Sequence, residues 1–238
     1  MSTPHHRRSR GRSGGSAAAA SHPPDDAPAL TDTPVRHPVR STSERYRGPK
    51  WSVRTDTVDL PAGTVDRDVL AHPGSVGIIA LDAHDRVLLV HQYRHPVSAT
   101  LWEPPAGLLD KPGENPLVAA QRELYEEAHQ RAADWHVLLD AYTTPGCSDE
   151  ATRLYLARGL TAVPADEQHE GEHEEAGMPV AWVPLDDVVE GVLDGRLHNP
   201  LLVMGVLAVR AARASGADGF AALRPADAPW PDRPTSPG

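Results

Sequence analysis

A chain of 238 residues is long enough for one domain with a sizeable core and leaves room for a second small one. Hydrophobic residues make up 39% and charged residues 24%, while 24 prolines and 19 glycines mark the chain as globular but loop-rich. Its net charge of −10 repels phosphate backbones, which excludes non-specific binding of nucleic acid.

Residues 1–45 carry seven arginines and four acidic residues and few large apolar groups. Such a segment cannot bury enough surface to offset its ordering entropy, so it reads as a disordered basic tail. Residues 46–72 read as an amino-terminal β-hairpin. Trp51 to Leu60 alternates in polarity, Pro61-Ala62-Gly63 is a turn signal, and Val65 to Leu70 is the return strand. The main body spans residues 73–214. Its first apolar runs, Val76 to Leu81 and Val87 to Gln92, flank a polar stretch and read as strands paired with each other.

Asn115-Pro116 opens the first helix, with asparagine as N-cap and proline at the first helical position. Leu117, Ala120, Leu124 and Ala128 then recur at helical spacing as its buried stripe. Strands are predicted at Trp135 to Ala141, Thr152 to Ala157 and Met178 to Pro184. Helices follow at Leu185 to Leu193 and from Pro200 to about Ala214. Residues 215–238, with five prolines from Arg224 onward, read as an irregular tail. Mixed strands with a few helices laid against them make the fold class α+β.

Cys147 is the single cysteine, so the chain holds no internal disulfide, and a reducing cytoplasm is its natural location. No run of 18 apolar residues is present, so no membrane partner is expected.

The chemistry concentrates on the first helix, which reads Arg122-Glu123-Leu124-Tyr125-Glu126-Glu127. Glu123 and Glu127 share a face, with Glu126 beside it. Like charges at this spacing destabilise an isolated helix by roughly 0.2–0.5 kcal/mol per pair, and a bound cation reverses that sign. Converging carboxylate oxygens are hard ligands suited to Mg2+ or Mn2+. A solvated acidic face is the alternative for the helix alone.

The larger frame separates the two. From Gly107 the chain runs six residues to Glu114, then seven to Arg122-Glu123-Leu-x-Glu126-Glu127. This spacing resembles the Nudix box, Gly-x5-Glu-x7-Arg-Glu-U-x-Glu-Glu-x-Gly-U, where U is a large aliphatic residue. Two departures stand out. One extra residue lies before Glu114, and His129-Gln130 replaces the Gly-aliphatic end, where glycine would cap the helix with positive φ.

The resemblance covers about residues 50 to 212 and points to the ADP-ribose pyrophosphatases of the Nudix superfamily. Gln92-Tyr93-Arg94 and Trp102-Glu103-Pro104-Pro105-Ala106-Gly107 look like the run leading into their box. Pro145 matches a marker of ADP-ribose selectivity, although any loop between strands also favours such a turn. An acidic cluster, Glu167 to Glu175, matches a loop that closes on substrate and supplies a catalytic or metal-binding glutamate, here Glu175 or Glu174.

What the resemblance implies is a Nudix fold with an amino-terminal hairpin extension that dimerises. Glu123, Glu127 and the Ala106 carbonyl are the implied metal ligands, with Glu126 and Glu114 completing the shell directly or through water. Arg122 orients these carboxylates, and Arg94, Glu103 and Pro145 are the substrate contacts. The implied reaction is hydrolysis of a nucleoside diphosphate derivative, ADP-ribose giving AMP and ribose 5-phosphate. Sugar nucleotides, NAD(H) or FAD are alternative substrates. A sensor that binds ADP-ribose without cutting it is the alternative of another class, and the intact glutamates speak against it.

Overall fold

The computed structural model describes residues 30–169, 177–215, 219–231 and 233. By its internal contacts the chain divides into two units, Met1–Val35 and Arg36–Gly238. Of the first, residues 30–35 are described, as exposed chain without regular structure. The second contains all the elements that follow.

Three antiparallel strands open it: β1 (Val39–Arg47), β2 (Ser52–Leu60) and β3 (Gly63–Ala71), in that spatial order. The expected hairpin is β2–β3, in register from Ser52↔Ala71 to Leu60↔Gly63. β1 corrects the sequence reading, which assigned most of it to a disordered tail. All nine of its residues are exposed, so it offers no apolar pattern to detect. It is held by its ladder to β2 and by polar cross-strand pairs, Arg40 to Asp59 at 2.7 Å and Thr42 to Asp56 at 2.7 Å.

β4 (Ser75–Ala80) and β5 (Arg86–Arg94) form as expected but do not pair with each other beyond one bridge, Leu81↔Val87. Every residue of β4 is buried. A strand covered on both faces has no alternation, and so its sequence does not specify its neighbours. Two short strands that the sequence reading missed are β6 (Ala99–Glu103) and β7 (Ala106–Leu108). After helix α1 (Pro116–Ala128) come β8 (Gln130–Tyr142) and β9 (Ala151–Ala162), both longer than predicted. β10 (Val180–Pro184), α2 (Leu185–Leu193), α3 (Pro200–Ala214) and the two-residue β11 (Arg224–Pro225) complete the order.

One sheet has the order β10-β5-β6; the other has β11-β8-β9-β4-β7, with β4 and β9 parallel. Alternation along β4 and β9 sends side chains into two cores. Val76, Ile78 and Tyr155 pack with Leu124 and Ala120 of α1. Ile79, Leu154 and Leu156 pack with Leu185 and Val188 of α2 and Leu202 and Val206 of α3. Gly205 permits the second contact, because a Cβ there would stand 2.5 Å from Ile79.

The described carboxyl-terminal residues are irregular apart from β11, and they are docked on the sheet. Arg153, 2% exposed, donates to Asp140 at 2.7 and 2.9 Å and to the carbonyls of Ala228 and Pro229 at 2.7 and 3.1 Å. Its guanidinium also lies 4.7 Å from the centre of the Trp230 ring. Prolines there remove regular hydrogen bonding without preventing packing.

Candidate active site

α1 is built as its sequence dictates. The Asn115 side chain accepts from Leu117 N–H at 2.8 Å, and Pro116 takes the first helical position. Ala120, Leu124 and Ala128 of the expected stripe are buried, and Leu117 packs at the edge of that core. The extra residue ahead of Glu114 is absorbed in a turn, with Gly113 at φ 75° and Glu114 N–H bonded to the Lys111 carbonyl at 3.1 Å. At the other end His129 occupies the left-handed region, φ 50° and ψ 42°, with its N–H returned to Tyr125 at 3.0 Å. The positive-φ cap expected of a glycine is therefore present with a histidine in it.

Three carboxylates gather around one guanidinium. Arg122 donates to both oxygens of Glu114 at 3.0 and 3.1 Å, to Glu123 Oε1 at 2.6 Å and to Glu126 Oε2 at 2.9 Å. The Arg122 hydrogen bond holds the Glu114 carboxyl below its usual range, and Glu114 in turn raises the Arg122 guanidinium. Glu127 is oriented by the backbone, accepting from Ala106 N–H at 3.0 Å. Glu123 is buried and lies against Gly107, where a Cβ would stand 2.0 Å from Oε1. β7 carries Ala106 and Gly107 and is itself fixed to β4 through Gly77↔Ala106 and Val76↔Gly107.

Among the described residues no three acidic, imidazole or thiol side chains already form a closed metal cage, since Arg122 stands between Glu114, Glu123 and Glu126. The donor set nevertheless fits a divalent cation. Its oxygens are hard, the three carboxylates paired with Arg122 outnumber the one guanidinium, and the Gly107 cradle keeps a carboxylate where a side chain would otherwise sit.

Arg94 and Glu103 are brought together at the ends of β5 and β6. Arg94 Nε donates to Glu103 at 2.9 and 3.1 Å, and Nη2 reaches the same carboxylate at 2.5 Å. Glu103 is only 1% exposed whereas the Arg94 side chain is 43% exposed, so the arginine is the member that faces outward. Pro145 lies in an exposed turn between β8 and β9. Glu174 and Glu175 lie outside the described residues.

The sequence reading missed Tyr125, whose hydroxyl donates to the Glu167 carbonyl at 2.6 Å. Arg131 adds a bond to Glu167 at 3.0 Å and lies 5.8 Å from the Tyr125 ring centre. Glu167, the first residue of the acidic segment, is thus tied to the helix that bears the carboxylates. The aromatic residue at a half-buried helical position was the available signal.

A carboxylate-bearing helix after a glycine-cradled strand, packed on a mixed five-stranded sheet, has the donor set of a divalent-cation site. Residues 71–201 match the NUDIX domain model, and the chain belongs to the Nudix hydrolase family. It is 44% identical over 197 residues to an ADP-ribose pyrophosphatase of Mycobacterium tuberculosis, covering 82% of this chain and 92% of that protein. It is 33% identical to a methanol dehydrogenase activator of Bacillus methanolicus, over 69% of this chain and 88% of that one. A solved ADP compounds hydrolase shares the fold with a TM-score of 0.64 at 21% identity, over 78% of this chain and 99% of its own.

Proposed function

We propose that this protein hydrolyses the diphosphate bond of ADP-ribose to AMP and ribose 5-phosphate. The observation that carries the reading is the complete carboxylate set, Glu123, Glu126 and Glu127, arranged about Gly107 and Ala106 in a chain 44% identical to an ADP-ribose pyrophosphatase. A non-catalytic sensor has no need of that set.

Glu123, Glu127 and the Ala106 carbonyl would hold a divalent cation, Mg2+ or Mn2+, with Glu126 and Glu114 supporting them directly or through water. When bound, such a cation would supply charge neutralisation for the diphosphate and activation of a water. Arg122 keeps the carboxylates oriented. Arg94, set in place by buried Glu103, presents its fork to a phosphate or ribose. The Pro145 turn contacts the substrate, and Glu175 or Glu174 aligns the attacking water.

The working form is a homodimer in the cytoplasm. Val39, Tyr46, Trp51 and Leu70 on the amino-terminal strands and their connection are large apolar side chains left exposed, a surface that a second copy covers. No helix among the described residues is long and apolar enough to cross a membrane.

The test is a panel of ADP-ribose, NAD, FAD, ADP-glucose and GDP-mannose with Mg2+ and with Mn2+, following AMP release by chromatography. ADP-ribose should give the highest kcat/KM. A clear preference for a hexose nucleotide overturns the substrate assignment and leaves the family intact.

A further inference from the structure

The turn from Thr143 to Glu150, which carries Pro145, is held to a large extent by the amino-terminal sheet. Leu70 near the end of β3 donates its N–H to the Cys147 carbonyl at 2.8 Å and accepts from Asp149 N–H at 3.3 Å. The Ser148 hydroxyl donates to the same Leu70 carbonyl at 3.0 Å. Arg54, in β2, donates from Nη1 to Asp149 Oδ2 at 3.2 Å, and Asp149 Oδ1 accepts from His72 N–H at 2.8 Å. Glu150 accepts from the Ser75 hydroxyl at 3.1 Å and from the Thr143 hydroxyl. Within the turn, Cys147 and Ser148 N–H return to the Thr144 carbonyl at 3.0 and 2.9 Å.

Residues 144–147 are exposed and contribute nothing to either core. A segment without buried apolar anchors takes its position from its hydrogen bonds. The side chains of Arg54 and Asp149 are 21% and 16% exposed, so their pair is better shielded than an ordinary surface bridge. Breaking it removes a fixed point from the turn and leaves a partly desolvated charge without that partner.

We infer that Arg54 and Asp149 are positioning residues that set the Pro145 turn, and through it the discrimination among nucleoside diphosphate substrates. The inference rests on the proposed contact between that turn and substrate. It makes the amino-terminal sheet a determinant of selectivity within its own chain, separately from any part it plays in assembly.

Arg54→Ala, Asp149→Asn and the swap Arg54→Asp with Asp149→Arg test it in the full-length protein. Both single variants should raise KM for ADP-ribose roughly tenfold with kcat within about twofold, and the swap should recover part of the loss. The ratio of kcat/KM for ADP-ribose over ADP-glucose should narrow. Backbone hydrogen exchange across residues 143–150 should quicken in the single variants, a measurement that needs no substrate. Unchanged exchange overturns the inference whatever the substrate proves to be. Quickened exchange with an unchanged substrate ratio overturns the selectivity step while the ADP-ribose assignment, judged on the unaltered protein, stands apart. A variant too unstable to assay is replaced by Ser148→Ala, which removes the bond to Leu70 and the acceptor of Glu150 N–H at 3.1 Å and should shift exchange and KM in the same direction.

Discussion

The carboxylate of Glu123 rests on the bare α-carbon of Gly107, with 2.0 Å between Oε1 and the position a Cβ would take. The atoms that would be struck run from the carboxylate back to Cγ at 2.5 Å, so the buried Glu123 side chain must turn about its inner bonds. Gly107→Ala should therefore cost about 1 kcal/mol or more and swing an oxygen of the proposed metal ligand away. Thermal melts together with kcat/KM at saturating Mg2+ check it. An alanine variant within twofold of the unaltered protein removes the cradle from the site.

Glu127→Gln keeps shape and the acceptor for Ala106 N–H but removes the charge of a proposed ligand. Turnover should fall by about tenfold to a hundredfold or more, with the melting temperature held. Chelation should abolish activity reversibly. Retention of more than about a tenth of the activity would falsify the assignment of Glu127 as a ligand.

His129 sits at φ 50°, a conformation that glycine enters without the steric cost of a Cβ. His129→Gly should raise stability by up to about 1 kcal/mol, read from denaturant midpoints, and leave kcat unaltered. A loss of stability would mean that the half-buried imidazole contributes more than its backbone strain costs.

His72 stacks on Trp51 with ring centres 4.4 Å apart and accepts from Gly74 N–H at 3.0 Å. Burial pushes the imidazole below its ordinary 6.5, although Glu150 and Asp149 pull it upward. Below pH 6.5 the unfolded chain binds a proton that the folded one resists, so stability falls as pH drops from there toward the folded value. Denaturant melts between pH 7 and 5 should show this slope, and His72→Gln should flatten it. An unchanged slope in the glutamine variant assigns the effect elsewhere.

The helix that bears the carboxylates was legible because three independent signals coincide on it: Asn115-Pro116 at its start, the Leu117 to Ala128 stripe, and the Glu123–Glu127 spacing. Where only one signal exists, sequence reading stops short. β1 has ladder bonds but no apolar face, and β4 has apolar residues on both faces and hence no preferred partner. β7 is three residues long, and its role depends on a glycine whose meaning appears only when Glu123 is laid against it. Arg94 and Glu103 were read as two contacts to substrate, yet their separation in sequence conceals that one is buried beneath the other.

The proposed dimer gives the last prediction. Residues 1–35 form a unit of their own by contact, whereas β1 begins at Val39 and is laddered to β2. Deleting residues 1–35 should change neither assembly nor activity. Deleting residues 1–72 removes the whole three-stranded sheet, with the exposed Val39, Tyr46, Trp51 and Leu70, along with the Arg54 and Leu70 bonds to the Pro145 turn. That truncation should release monomers with poor substrate binding, while α1 keeps its fold because its core partners lie in β4, β8 and β9. Sedimentation and light scattering on the three proteins report the mass, and circular dichroism reports the helix. If the full-length protein is monomeric at micromolar concentration, the apolar side chains of the amino-terminal sheet do not serve a second copy, and the sheet's part in substrate binding rests on its bonds to the Pro145 turn alone.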